Sequence, residues 1–226
     1  IYNDFTQILL GKLEIKNRQD NLLFNIRKRL FSALALHMLD NQLFEIPYKD
    51  FKEFINNFLS SKAFQIQDDE AIKNIIFQSG LLYIDDENNV GFKQQAFIDY
   101  FSSIEIYNHK RKTHYEKLLE NFNTVNWQNT AIFFAGISKD LPDMVDDLLK
   151  LMPNEGLNDY LINSGGMGYL SQALYLTDMN ERKKLIYKSL DNLVQAFYRI
   201  KELTSEDSGF AKDMSLPLIA TIINYW

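Results

Sequence analysis

A mainly α-helical fold is predicted: a winged-helix domain with a small two-stranded wing, followed by an α-helical, solenoid-like array. Three observations predict it. Apolar residues recur at helical spacing over most of the chain. One short hairpin pattern interrupts them, with Leu81, Leu82, Tyr83 and Ile84 running into acidic, Asn-rich Asp85–Asn89 and Val90 and Phe92 resuming beyond. Helical stretches lie ahead of that hairpin and a longer helical run follows it.

Taken in order, Phe5, Ile8, Leu9 and Leu13 predict a short helix over Tyr2 to Leu13, weakened by Gly11. Polar Glu14 to Asn21 reads as a connector. From Leu22 to Leu39, Ile26, Leu30, Leu34 and Met38 recur every four residues on one amphipathic helix, with His37 a packed or partly exposed residue of that face. Pro47 suits the opening turn of the next helix, whose stripe is Phe51, Phe54, Ile55 and Phe58. Asp69 can cap a further helix through Ile72, Ile75 and Ile76, which ends at Gly80 in a left-handed residue. The hairpin then leads into Phe97, Tyr100, Phe101 and Ile104 at helical spacing. The resulting division is 1–21 as a short helix and its connector, 22–105 as the winged-helix domain and 106–226 as the helical array.

Beyond the wing the chain predicts helices from Lys93 to Phe122, Trp127 to Ile137 and Leu141 to Leu151, with Pro142 in the first turn of the last. Asn163-Ser164-Gly165-Gly166-Met167-Gly168 reads as a loop; it lacks the Lys-Ser/Thr and the preceding strand of a phosphate cradle. Tyr169–Leu176 and Glu181–Leu203 form a helix pair, and Thr204–Met214 a polar loop. Stacked pairs suggest a solenoid, without a repeat of fixed period.

Composition narrows the function. A hydrophobic fraction of 46% against 24% charged is that of a folding globular chain. Zero Cys excludes disulfides, thiol nucleophiles and Cys-ligated zinc. No run approaches the ~20 apolar residues of a membrane span, so no membrane partner is expected and a cytoplasmic location is. The net charge of −6 argues against a nucleic-acid partner. The basic clusters Arg27-Lys28-Arg29 and His109-Lys110-Arg111-Lys112, and the acidic stretch of Asp140, Asp143, Asp146 and Asp147, read as solvated helix faces. No catalytic residue and no metal site emerge: His37, His109 and His114 have no ligand spacing, and Asp85, Asp86 and Glu87 read as a solvated turn. The opening at Ile1 and the apolar end Thr221–Trp226 lead us to expect a piece of a longer protein.

Phe92-Lys93-Gln94-Gln95-Ala96-Phe97-Ile98-Asp99-Tyr100-Phe101 resembles the end of the winged helix in the NACHT branch of the STAND nucleotide-switch proteins, where the pattern is Phe-x-His-x-Ser-Phe-x-Glu-Tyr-Phe. Phe92, Phe97, Tyr100 and Phe101 match, Asp99 matches in charge, and Gln94 and Ala96 replace the histidine and the serine. The run from Trp127 to Ile137 resembles the helix that follows in bacterial members.

The resemblance implies a regulatory fragment without its ATPase core, and hence not itself an enzyme. Gln94 would stand at the position that touches bound ADP, while Phe92, Phe97, Tyr100, Phe101 and Trp127 would pack between domains. No cofactor is expected within the fragment; ADP or ATP is implied for the full-length protein. The partners implied are the nucleotide-binding domain of the same chain and a trigger protein or ligand of unknown identity, with antiphage defence a setting found in the family. Two other readings stay open: a winged-helix DNA-binding regulator with a helical effector or dimerisation domain, and a helical protein-interaction scaffold.

Overall fold

In a computed structural model, residues 2–61, 79–151 and 156–206 are described. Among the described residues the chain is mainly helical with one small antiparallel sheet, the mainly α class that the sequence predicts. Its contacts divide it into two compact units, Ile1–Arg111 and Lys112–Trp226.

The first unit opens with α1 (Tyr2–Leu9), a 3-10 turn at Lys12–Glu14 and α2 (Arg18–Asp40). Three residues, Glu45–Pro47, form β1, and α3 (Tyr48–Ser60) follows at once. The hairpin is β2 (Leu82–Ile84) and β3 (Asn89–Phe92), and α4 (Gln95–Glu105) leaves its far end. The helix expected from Asp69 through Ile76 lies outside the described residues; Gly80, expected as its left-handed end, takes φ 63°.

The expected two-stranded wing is corrected to a three-stranded sheet in the order β1-β3-β2, both pairings antiparallel. Pro47 does not open the helix but ends β1 and stands as N-cap of α3. An edge strand tolerates proline because its missing N–H is needed by no neighbour on the open side. Three residues are too short a run for alternation to announce a strand. Glu45 and Tyr83 both lie opposite Gly91. Without a side chain there, the Tyr83 ring crosses β3 and its hydroxyl donates to Glu45 Oε2 at 3.2 Å. A Cβ on Gly91 would stand 2.7 Å from that hydroxyl.

The core of this unit is aromatic. The Phe31 ring meets Phe92 and Phe101 edge-on, each at 6.2 Å, and Phe92 lies 6.0 Å from Phe101. Edge-to-face rings set positive rim against negative face, which adds to the area they bury. The α2 stripe read from sequence is the one buried, Leu30, Leu34 and Met38 being at most 1% exposed.

A π-helical turn at Ile106–Lys110, at the end of the first unit, carries α4 into α5 (Arg111–Glu120), where one continuous helix was expected. The described residues of the second unit form helices joined by short connections. Then come α6 (Val125–Ser138), α7 (Pro142–Leu151), α8 (Leu157–Ala173) and α9 (Met179–Glu206). The supposed loop Asn163–Gly168 is the middle of α8.

Glycines cost helix propensity, so their place here needs a tertiary cause. Buried Gln128 of α6 lies directly against Gly166: a Cβ there would come within 2.1 Å of the Gln128 side chain. From that position Gln128 Nε2 donates to the carbonyls of Phe122 at 2.9 Å and Ile162 at 3.0 Å. On the other side of α8, Ser189 of α9 donates to the Ser164 carbonyl at 2.6 Å. Small residues thus let three helices approach closely enough to be joined by side chain to backbone hydrogen bonds. The expected polar loop at Thr204–Met214 is helical as far as Glu206, and its remainder lies outside the described residues.

Candidate functional site

The junction of β3 with α4 carries the residues singled out by sequence. Phe92, the last residue of β3, is buried, and the next N–H, that of Lys93, donates to the Leu81 carbonyl at 2.9 Å. Lys93 and Gln94 then turn outward and are exposed. Gln94 is extended, at φ −143° and ψ 138°, and forms the N-cap of α4 without a side-chain capping bond. Its carbonyl accepts from the Phe97 N–H at 3.0 Å, closing the first turn.

Neighbouring Gln95 behaves differently. Its Nε2 donates to Asp99 Oδ1 at 3.0 Å, and Asp99 is 1% exposed. Two adjacent glutamines therefore divide the work: Gln95 satisfies a buried carboxylate, while the exposed amide of Gln94 can both donate and accept toward an incoming group.

The aromatic residues expected to pack between domains are all buried. Phe92, Phe97, Tyr100 and Phe101 are each at most 5% exposed, and each has a ring or hydroxyl partner among residues of the first unit. Phe97 stacks on Phe5 at 6.4 Å, and the Tyr100 hydroxyl donates to Asn3 Oδ1 at 3.1 Å, tying α1 to α4. Burial pushes the Tyr100 phenol above its ordinary pKa. Trp127, 6% exposed, belongs to the second unit, where the Lys117 ammonium lies 4.9 Å from its ring centre. A motif that marks helix-face aromatics cannot say whether they fill the core of their own unit or a gap between two.

Sequence reasoning missed the ion pair beneath this region. Arg29, assigned to a solvated basic cluster, forms a salt bridge with Glu105 at the end of α4, and Glu105 is only 2% exposed. The guanidinium also lies 5.6 Å from the Phe58 ring centre. Lys28 is partly buried; burial and the charge of Lys12 hold its pKa below the usual value. An acidic residue inside an otherwise apolar run, Glu105 between Ile104 and Ile106, was the available signal.

Other charged stretches resolve individually. His109 to Lys112 are exposed. Asp85 serves its own turn, accepting from the Asn89 N–H at 2.7 Å and from Asn89 Nδ2 at 3.1 Å, and the backbone bond holds its carboxyl below the usual range. Asp146 reaches Lys184 at 2.9 Å, and Asp147 accepts from the Tyr115 hydroxyl at 3.3 Å, so this acidic stretch is partly tied to neighbouring helices. Among the described residues no helix is long and apolar enough to cross a membrane.

Comparison with known proteins gives one family. No curated protein and no solved structure matches the chain. The family described as Novel STAND NTPase 4 matches residues 44–102, about a quarter of the chain, from just ahead of β1 into α4 and across the Gln94 junction. The match supports a STAND NTPase-related domain over this part of the chain.

Proposed function

We propose that the chain is the regulatory part of a NACHT-type STAND nucleotide switch. It comprises the end of the lid, a winged helix and a helical array that relays the binding of a trigger. The observation that carries this reading is the coincidence of the family match, residues 44–102, with the sheet found among the described residues and with exposed Gln94. The strand order β1-β3-β2, with α3 between β1 and the hairpin, supports the winged-helix assignment.

Mechanistically, the nucleotide-binding domain of the same protein supplies the ligand, ADP at rest and ATP when active. Gln94 stands on the exposed edge, where its amide donates a hydrogen bond to a phosphate oxygen while the rigid aromatic core behind it holds the backbone in place. A neutral amide contributes a weaker bond than a protonated histidine. The resting state is then held by surface fit as much as by phosphate contact. Release is a population shift between two packings of preformed units, driven by a trigger that binds one better. The cytoplasm and antiphage defence are the setting we assign to it.

In the full-length protein, Gln94→His is expected to slow ADP release and dampen activation. Release unchanged in that variant, with salt-steep duplex DNA binding by the chain alone, would replace this reading with that of a DNA-binding regulator.

A further inference from the structure

The long helix α9 has two opposed faces. Leu185, Asn192 and Ala196 are buried on the inner one, and from the same side the Ser189 hydroxyl donates to the Ser164 carbonyl on α8. On the other side, Met179, Ile186, Tyr187, Leu190, Val194 and Tyr198 are between 43% and 67% exposed, and among the described residues nothing covers them. At 100° per residue these six fall within an arc of about 120°, a width at which a helix face is ordinarily buried. Single exposed apolar residues need no explanation; a contiguous stripe of this length does.

The spacing along the stripe says what kind of surface fits it. Met179, Lys183, Ile186, Leu190, Leu193 and Phe197 follow one another at alternating steps of four and three residues, with Leu193 and Phe197 partly exposed. Such alternation is the pattern of a seam that packs against another helix bearing the same pattern.

Charge then selects the orientation. Lys183 is the charged member of the seam, and Lys201 is exposed at the far end of the same stripe. Two parallel copies of α9 would set each lysine against its own counterpart. Two antiparallel copies related by a two-fold axis at Leu190 avoid both oppositions. Leu190 then meets Leu190, Ile186 shares a layer with Val194, Lys183 reaches the Phe197 ring of the other copy, and the Lys201 stem lies along Met179. The exposed surface of the six apolar residues and the two lysines comes to roughly 800 Å², which equals the ~800 Å² that each partner gives to a standard specific interface.

We propose that the outer face of α9 binds a second copy of the chain, antiparallel about a two-fold axis at Leu190. Such an interface is isologous, so it closes at two copies and leaves no seam open.

At micromolar concentrations the whole chain should sediment as a dimer. Leu190→Glu, which sets two carboxylates against each other at the axis, should weaken association by about a hundredfold or more. Position 190 is exposed, so the far-ultraviolet circular dichroism of that variant should match the parent's. Because the chain has no cysteine, Leu190→Cys gives each copy a single thiol, and mild oxidation should join two chains through it. Gln195→Cys, exposed on α9 but turned away from the seam, should not cross-link. A chain that stays monomeric throughout that range overturns the proposal and leaves the face to a different protein. A dimer that Leu190→Glu leaves intact overturns it too, as does oxidation that joins chains as fast through Gln195→Cys as through Leu190→Cys.

Discussion

The two units solve the problem of holding helices together in opposite ways. In the first, large rings fill the space between elements: Phe31, Phe92 and Phe101 are mutual neighbours, and the sheet and α4 are positioned by what these rings exclude. In the second, helices approach across small residues and are joined through backbone carbonyls, Gln128 over Gly166 and Ser189 to Ser164. The first strategy rests on burial, proportional to area and tolerant of direction. The second rests on hydrogen bonds and close fit, which demand particular geometry. On the proposed function, such a core would keep the Gln94 edge in place.

Substitutions can break this contrast. Phe101→Ala should have the largest effect, destabilising by about 4 kcal/mol, because it removes a fully buried ring from a cluster that cannot collapse around the gap. Denaturant unfolding measures the loss, and hydrogen exchange should place it within residues 1–111. Next comes Arg29→Ala at about 2–3 kcal/mol, since it leaves the Glu105 carboxylate buried without its cation; partial exposure of Arg29 keeps the loss below that of a wholly buried pair.

Gly166→Ala should cost about 2 kcal/mol, since the added methyl displaces Gln128 and with it two hydrogen bonds. Gln128→Ala makes room for that methyl, so in the double variant Gly166→Ala should cost markedly less than alone. Additive losses in that cycle would remove the close-approach account of the second unit.

The smallest effect concerns pH. The Tyr100 phenol is raised above its ordinary value by burial, so its contribution to stability is complete below pH ~10 and is lost as pH rises through the folded-state value. Tyr100→Phe should therefore flatten the alkaline fall in unfolding midpoint, as read by denaturant unfolding across that pH range.

How much was legible follows from the same contrast. Leu30, Leu34 and Met38 lie on the buried face that their four-residue recurrence predicts, and the hairpin turns where Asp85–Asn89 interrupts two apolar runs. Periodicity records burial directly. It did not reveal β1, which is only three residues long and ends in proline, nor the salt bridge of Arg29, whose partner lies far along the chain. At the candidate site the sequence singled out Gln94 and its aromatic neighbours. Only the structure separated the exposed amide from the rings, which are buried.

By itself, then, the sequence determined the mainly helical class, the place of the hairpin and the apolar stripes, because these depend on local spacing and on how apolar side chains partition from water. The tertiary structure alone decided that Asn163–Gly168 is helix and not loop. Glycine-rich segments have weak preferences of their own, and here the deciding contacts come from residues distant in sequence: Gln128, whose place a side chain at position 166 would take, and Ser189, which reaches the Ser164 carbonyl.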